Sequence, residues 1–278
     1  DAHVGKWHRQ VSMLSFEKIE AFREKGADVD FGAFGENLVV EGFDLSKVPV
    51  GTKFQIGEAI LELTQIGKEC HSHCAIYKVM GDCIMPREGV FTRVLKGGEI
   101  KAGDEITMLP LEKDRPFTAA VITLSDKGAA GEREDKSGPL IQEMLMKEGY
   151  DVIETLLLPD GEQPLKHQLM RLADQRQGNV IFTTGGTGFA ERDVTPEATQ
   201  AVCDRMAMGI ADAIRQYSLS ITGRAMLSRA VSGIRKKTLI VNLPGSPKAV
   251  KESLEYVLPH LGHGLGILRG TDGECGNS

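Results

Sequence analysis

Four short loops carry most of the chemistry visible in this chain. They are Ser125-Asp126, Pro159-Asp160, Gly185-Gly186-Thr187-Gly188 and Pro244-Gly245-Ser246-Pro247, and each directly follows an apolar run. The Gly185 to Gly188 loop exposes backbone N–H groups with little side-chain obstruction. It reads either as a phosphate cradle or as a plain strand-to-helix turn. It is neither a P-loop nor a dinucleotide fingerprint. Pro244, Gly245 and Ser246 lead into a helix with Lys248 in its first turn, either a second anion site at a helix N-terminus or an ordinary proline at the first helical position. Asp160 and Asp193 stand near those glycines. Two carboxylates beside a phosphate cradle can hold Mg²⁺, with phosphate oxygens and water completing the octahedron. The rival for Glu191, Arg192 and Asp193 is a solvated loop. Asp135 and Ser137 read as an acidic ligand and its neighbour, or as the cap of the helix that starts there. No serine or cysteine is paired with a histidine in this half, and His167, His260 and His263 fall on helices as surface residues. A phosphate nucleophile, ionised at neutral pH, would need no general base; positioning and charge neutralisation suffice.

A second constellation lies nearer the N-terminus: Cys70-His71-Ser72-His73-Cys74, then Cys83. The spacing contains no C-x₂-C pair for zinc and does not match a C-x₃-C-x₂-C cluster motif. Cys74 and Cys83 read as buried or incidental rather than as metal ligands. Cys70 has Lys68 and His71 beside it. Cationic neighbours favour the thiolate, a soft ligand for molybdenum or an acceptor of sulfur, whereas an isolated cysteine is otherwise a small hydrophobe.

The elements that must position these residues divide into two rhythms. Residues 38–40, 52–56, 59–65, 90–95 and 106–109 read as short strands between turns, with one helix near 15–25, which suggests a small β-barrel or sandwich. The polar stretch 111–116 ends in proline and reads as a linker. From residue 117, strands at 119–124, 152–158, 180–184 and 238–243 alternate with helices at 139–148, 164–175 and 247–261. That alternation implies a doubly wound α/β domain with a mostly parallel sheet. Ligands bind such sheets at the carboxyl ends of the strands, where all four loops would lie.

The chain has 278 residues, a length better suited to two domains than one. A formal charge of −6 argues against a nucleic-acid binder. No apolar run is long enough to span a membrane, no signal peptide opens the chain, and five cysteines, an odd number, suit a reducing, cytoplasmic setting.

The segments around Thr123-Leu124-Ser125-Asp126, Asp135-x-Ser137-Gly138, Thr183-Thr184-Gly185-Gly186-Thr187-Gly188, Arg192-Asp193-Val194-Thr195-Pro196-Glu197 and Asn242-Leu243-Pro244-Gly245 resemble the MogA/MoaB family of molybdopterin adenylyltransferases, over roughly residues 117–270. The resemblance implies adenylylation of the molybdopterin phosphate by ATP and Mg²⁺, with release of pyrophosphate. It casts Asp160 and Asp193 as organisers of metal and phosphates, places the Gly185 to Gly188 loop against the substrate, and makes the protein a trimer. A molybdenum insertase and recipient molybdoenzymes would be partners. Phe34-Gly35-Glu36-Asn37-Leu38, Gly67-Lys68-x-Cys70 and Arg87-Glu88-Gly89-Val90-Phe91 resemble a MOSC domain over residues 1–110, with Asp1 to Gly5 and His8-Arg9-Gln10 matching its early segment and its first strand expected upstream. This casts Cys70 as binding molybdenum or carrying sulfur, and Glu36, Asn37 and Arg93 as contacts to the pterin phosphate or metal; a fold-stabilising turn is the rival for Glu36 and Asn37. Residues 271–278 form a tail. Other readings are a non-catalytic molybdopterin carrier, a molybdenum-dependent reductase or sulfur transferase built on Cys70, and a zinc-stabilised module.

Overall fold

The computed structural model describes residues 7–70 and 74–272. The chain separates into two compact units between Glu112 and Lys113, inside the stretch read as a linker.

In the first unit, β1 (Val11–Ser15), α1 (Phe16–Arg23), β2 (Leu38–Val40), β3 (Lys53–Ile56), β4 (Ala59–Ile66), α2 (Ala75–Met80), α3 (Met85–Glu88), β5 (Val90–Lys96) and β6 (Ile106–Leu109) follow in order. The strands form one sheet in the order β2-β1-β5-β4-β3-β6, antiparallel except for β1 beside β2. A closed barrel is not seen among the described residues. The sheet ends at β2, three residues long, and at β6, which pairs only with β3, so among the described residues it is open. β4 alternates cleanly between buried and partly exposed positions, which places Leu61 and Leu63 with Phe54 and Ile56 in one apolar cluster. Residues 1–6, which include Asp1 to Gly5 of the early MOSC-like segment, lie outside the described residues.

The second unit runs β7 (Thr118–Leu124), α4 (Asp126–Ala129), α5 (Ser137–Lys147), β8 (Asp151–Leu158), α6 (Glu162–Asp174), β9 (Val180–Thr184), α7 (Thr195–Val202), β10 (Arg205–Met206), α8 (Met208–Ile221), β11 (Ser232–Arg235), β12 (Thr238–Leu243) and α9 (Pro247–Arg269). The sheet order is β10-β11-β12-β9-β7-β8. β12, β9, β7 and β8 are parallel, whereas β10 and β11 pair antiparallel at one edge, so the sheet is mixed. The continuous apolar run of β7 is buried on both faces. Ala119 and Val121 pack with Ile141 and Leu145 of α5 and with Val250 and Leu254 of α9. Ala120, Ile122 and Leu124 face the other way, onto Leu165 and Leu169 of α6 and Ala198 of α7. Side chains alternating across a strand need helices on both faces, and the doubly wound arrangement supplies them. Ser246 caps α9 by accepting from the N–H of Ala249, and Pro247 at the first position needs no partner for a missing N–H. Among the described residues, no helix is long and apolar enough to cross a membrane.

Candidate functional site

A cavity of about 750 Å³ opens at the carboxyl end of the parallel strands. Ser125, Asp135, Ser137, Asp160, Gly185, Gly186, Asp193, Gly245 and Ser246, all singled out from the sequence, line it. The loops are tied to one another by hydrogen bonds. Ser137 Oγ donates to the Gly245 carbonyl at 2.9 Å, and Thr184 Oγ1 donates to the Pro244 carbonyl at 2.6 Å. Thr195 donates to the carbonyls of both loop glycines, from Oγ1 to Gly185 at 2.9 Å and from its N–H to Gly186 at 3.1 Å. Asn242, fully buried, bridges Thr183 and Thr199 through Nδ2 and accepts from the Val231 N–H.

Gly185 and Gly186 both adopt positive φ, 96° and 64°. A Cβ on Gly185 would collide with the Leu124 carbonyl, and one on Gly186 with the Thr195 hydroxyl. Only glycine lets the main chain approach so closely on two sides. The backbone of the glycine loop is thus packed directly against Leu124 and Thr195 in the wall of the cavity.

The carboxylates are held by their own loops. Asp160 Oδ2 accepts from the Asp126 N–H at 3.1 Å, and Asp126 Oδ1 accepts from the Asp160 N–H at 2.9 Å. Asp193 Oδ2 accepts from the Ala190 N–H at 3.0 Å. In both Asp160 and Asp193 the other oxygen has no partner among the described residues. Asp135 Oδ1 accepts from the N–H groups of Ser137 and Gly138, both at 3.0 Å, which is the capping role. Asp135 also faces the cavity, so the two readings of it are compatible.

Five of the sequence candidates do not line the cavity. Asp126 is turned to Asp160 as just described. Thr187 and Gly188 offer their carbonyls to Arg229, the Pro244 carbonyl is taken by Thr184, and Lys248 points into solvent near Glu252 at 3.8 Å. The cations that do line it are Arg133, Lys136 and Arg192. Sequence reasoning missed Arg133 and Lys136 as site residues, although both belong to the short polar stretch before α5. Arg133 donates to Ser125 Oγ at 3.1 Å. Arg229 was missed as well, and it braces the loop from outside, donating through Nε to the Gly188 carbonyl at 2.7 Å and through its second arm to the Asp193 carbonyl. Its remaining arm grips Glu197. Burial alone would raise the Glu197 carboxyl, but this guanidinium holds it below the ordinary value. Of the three histidines, His260 lies edge-on to Tyr256 and His263 sits 3.4 Å from Asp272, so these two meet surface neighbours as expected.

Among the described residues, no group of three or more His, Cys, Asp or Glu side chains could hold a metal ion by itself. The donor set at Asp160 and Asp193 suits a hard cation that brings phosphate oxygens and water with it.

In the first unit, Cys70 lines a cavity of about 220 Å³ with Glu69, Cys74, Tyr77, Cys83 and Pro86. Cys70 and Cys74 are exposed and Cys83 is buried; burial pushes the Cys83 thiol up. His71, Ser72 and His73 lie outside the described residues. Glu36, Asn37 and Arg93 do not line this cavity. Glu36 accepts from the N–H groups of Gly32 and Phe34, and Asn37 Oδ1 accepts from Ser12 N and Oγ, both at 2.9 Å. Glu36 thus braces the turn ahead of β2, and Asn37 ties it to Ser12 of β1. Arg93 is paired across the sheet with Glu62.

Comparison with known proteins agrees with this division. The family described as "Probable molybdopterin binding domain" matches residues 120–263, and the MOSC domain matches residues 1–107. A molybdopterin adenylyltransferase of Helicobacter pylori is 40% identical over 153 residues, 54% of this chain and 87% of the relative. One from Haemophilus influenzae is 45% identical over 139 residues, 49% of this chain and 71% of the relative. Among solved structures, the molybdopterin biosynthesis enzyme MoaB of Thermus thermophilus superposes with a TM-score of 0.53 at 45% identity, covering 55% of this chain and 97% of its own. The tungsten cofactor synthesizing protein MoaB of Pyrococcus furiosus gives 0.51 at 36% identity, covering 56% and 98%.

Proposed function

The chain belongs to the family of molybdopterin-binding domains, with a MOSC domain ahead of it, and on that premise we propose that its C-terminal half adenylylates molybdopterin in molybdenum cofactor biosynthesis. The observation that carries this is the single cavity in which Asp160, Asp193 and the glycine loop meet at the carboxyl edge of the sheet. A phosphate oxygen of molybdopterin would attack the α-phosphorus of ATP; the bond to the β-phosphate breaks and pyrophosphate leaves. Gly185 and Gly186 would let the backbone approach the phosphates, and Arg133, Lys136 and Arg192 would balance their charge. Asp160 and Asp193, each with one oxygen uncommitted, would hold Mg²⁺, which neutralises phosphate charge when bound. No side chain needs to remove a proton, because the nucleophile is already ionised.

The test is to mix the protein with Mg²⁺-ATP and molybdopterin, following adenylylated pterin by mass spectrometry and pyrophosphate by a coupled assay. Wild type should form both, and D193N should lose about 100-fold or more in turnover while still binding pterin. Pterin binding without product in wild type would make this half a carrier.

The N-terminal half we assign to binding molybdenum cofactor, or its sulfur, through the exposed Cys70. C70S should abolish bound molybdenum or transferred sulfur; unchanged behaviour would reject the assignment. A trimeric state, a cytoplasmic location, and transfer of product to a molybdenum insertase and recipient molybdoenzymes complete the proposal. Sedimentation analysis tests the first of these.

A further inference from the structure

Three of the chain's five cysteines meet at one place in the first unit. Cys70, Cys74 and Cys83 line a single cavity of about 220 Å³ with Glu69, Tyr77 and Pro86. Each is placed by a different anchor. The stretch leading to Cys70 leaves β4 through Gly67, whose N–H donates to the Gly89 carbonyl and whose carbonyl accepts from the buried Gln65 Nε2, both at 2.7 Å. Cys74 opens α2, its carbonyl accepting from the Lys78 N–H at 3.1 Å, and Ile76 and Met80 of that helix pack on the cluster of Leu14, Ile19 and Phe22. Cys83 donates its N–H to Asp82 Oδ1 at 2.8 Å, and its side chain clusters with Met85 and Phe91.

A sulfur-carrying role for Cys70 uses one of these thiols and leaves two without a task. Among the described residues no group of three such side chains could hold a metal ion, so the cluster does not read as a metal site. The two remaining thiols differ in exposure. Cys83 is 5% exposed, and burial together with the neighbouring Cys74 and Cys70 pushes its thiol up, so it stays protonated and unreactive at neutral pH. Cys74 is exposed, as Cys70 is. An exposed thiol is open to oxidation and is a liability where it has no use. Lining one small cavity and four positions apart in the chain, Cys70 and Cys74 can bring their α-carbons within the roughly 4.4–6.8 Å that a disulfide spans. They are placed for exchange between sulfurs, with Cys83 a neutral part of the wall.

We propose that Cys74 is the resolving thiol for sulfur carried on Cys70 and frees that sulfur as hydrosulfide. With Cys70 as a persulfide, the Cys74 thiolate attacks the Cys70 sulfur. The bond between Cys74 and Cys70 forms, the bond between the two persulfide sulfurs breaks, and the outer sulfur leaves with its electron pair as HS⁻. The Cys74 sulfur is oxidised, the departing sulfur is reduced and the Cys74 proton goes to solvent, so the step needs no outside oxidant. Attack at the inner sulfur expels hydrosulfide, which is more acidic than a cysteine thiol and so the better leaving group. A small-molecule thiol then reduces the disulfide and resets the pair. The inference rests on the sulfur-carrying reading of Cys70 and adds the form in which the sulfur leaves and the residue that frees it.

The test supplies inorganic polysulfide to the reduced full chain, quenches samples with iodoacetamide over time, and maps persulfides and disulfides by peptide mass spectrometry beside a sulfide assay. Wild type should pass from a Cys70 persulfide to a Cys70–Cys74 disulfide, with about one sulfide released per disulfide formed. C74S and C74A, both at an exposed position, should hold the persulfide on Cys70 and lose it at least about tenfold more slowly. Loss at the wild-type rate in C74S would overturn the inference alone. A wild-type persulfide that persists, or a disulfide from Cys70 to Cys83, would do the same while leaving sulfur on Cys70. A wild-type chain that forms neither persulfide nor disulfide at Cys70 would overturn the sulfur-carrying reading and this inference with it.

Discussion

Arg229 grips Asp193 by its main-chain carbonyl and leaves its carboxylate alone. The same guanidinium holds the Gly188 carbonyl, so it pins both ends of the loop that turns Asp193 toward the cavity. An ion pair to the carboxylate would have occupied the oxygens that a metal or substrate needs. Bonding to the backbone fixes the loop and keeps one carboxylate oxygen available.

It follows that R229Q should reduce adenylylation by about 10- to 100-fold, since a misplacement of around 1 Å in a catalytic group has effects of that order. The loss should fall mainly on kcat, and R229K should recover part of it through a single bond to one carbonyl. In a double-mutant cycle with D193N the two losses should not add, because both act on the same carboxylate. Additive losses would reduce Arg229 to a general stabiliser.

The glycine loop should resist even the smallest side chain. G185A places a Cβ against the Leu124 carbonyl at a φ of 96°, and should destabilise the unit by about 1–3 kcal/mol. Chemical denaturation measures that directly. G209A, at a helix position with nothing within 4 Å of the added methyl, is the control and should not destabilise.

Acid should loosen the second unit through Asp174. This carboxylate reaches from α6 to Arg235 of β11 with bonds of 3.0 and 2.5 Å, and to Lys236 at 3.1 Å. Burial would raise its pKa, but the two cations hold it below the ordinary 3.8. A carboxylate lowered in the folded state stabilises fully above its unfolded pKa, and that contribution is lost as pH falls through the folded value. D174N should therefore cost about 1–3 kcal/mol at neutral pH and flatten the decline below about pH 4. An unaltered acid limb in urea unfolding at several pH values would exclude this role.

The four cysteines of the described residues should separate by reactivity. Burial pushes the Cys203 thiol up to about 11 and raises that of Cys83, whereas Cys70 and Cys74 are exposed. Under native conditions at about pH 8, iodoacetamide should modify Cys70 and Cys74 first, and peptide mass spectrometry would order the sites. Equal labelling of Cys83 would contradict its burial.

Local pattern alone determined the layered α/β half. The short, largely apolar runs at β7, β9 and β12, alternating with helical patterns, read as central parallel strands, and the polar loops that end them then lie along one edge. The motif residues of that edge were legible for the same reason, because each follows directly from a strand end. Tertiary structure decided everything that depends on pairing across long stretches of chain. The antiparallel strands β10 and β11, two and four residues long, have too little periodicity to show before they meet β12. Alternation in the first half marks strands with one face buried, yet whether such a sheet closes is set by its end strands, and among the described residues β2 and β6 leave it open. Arg229 stands 36 residues after the carbonyl of Asp193 that it holds, and Cys74 read as incidental until the fold set it in one cavity with Cys70 and Cys83. An arginine far along the chain and a cysteine outside any metal-ligand spacing look ordinary in sequence. Their meaning comes from the partners that the fold brings to them.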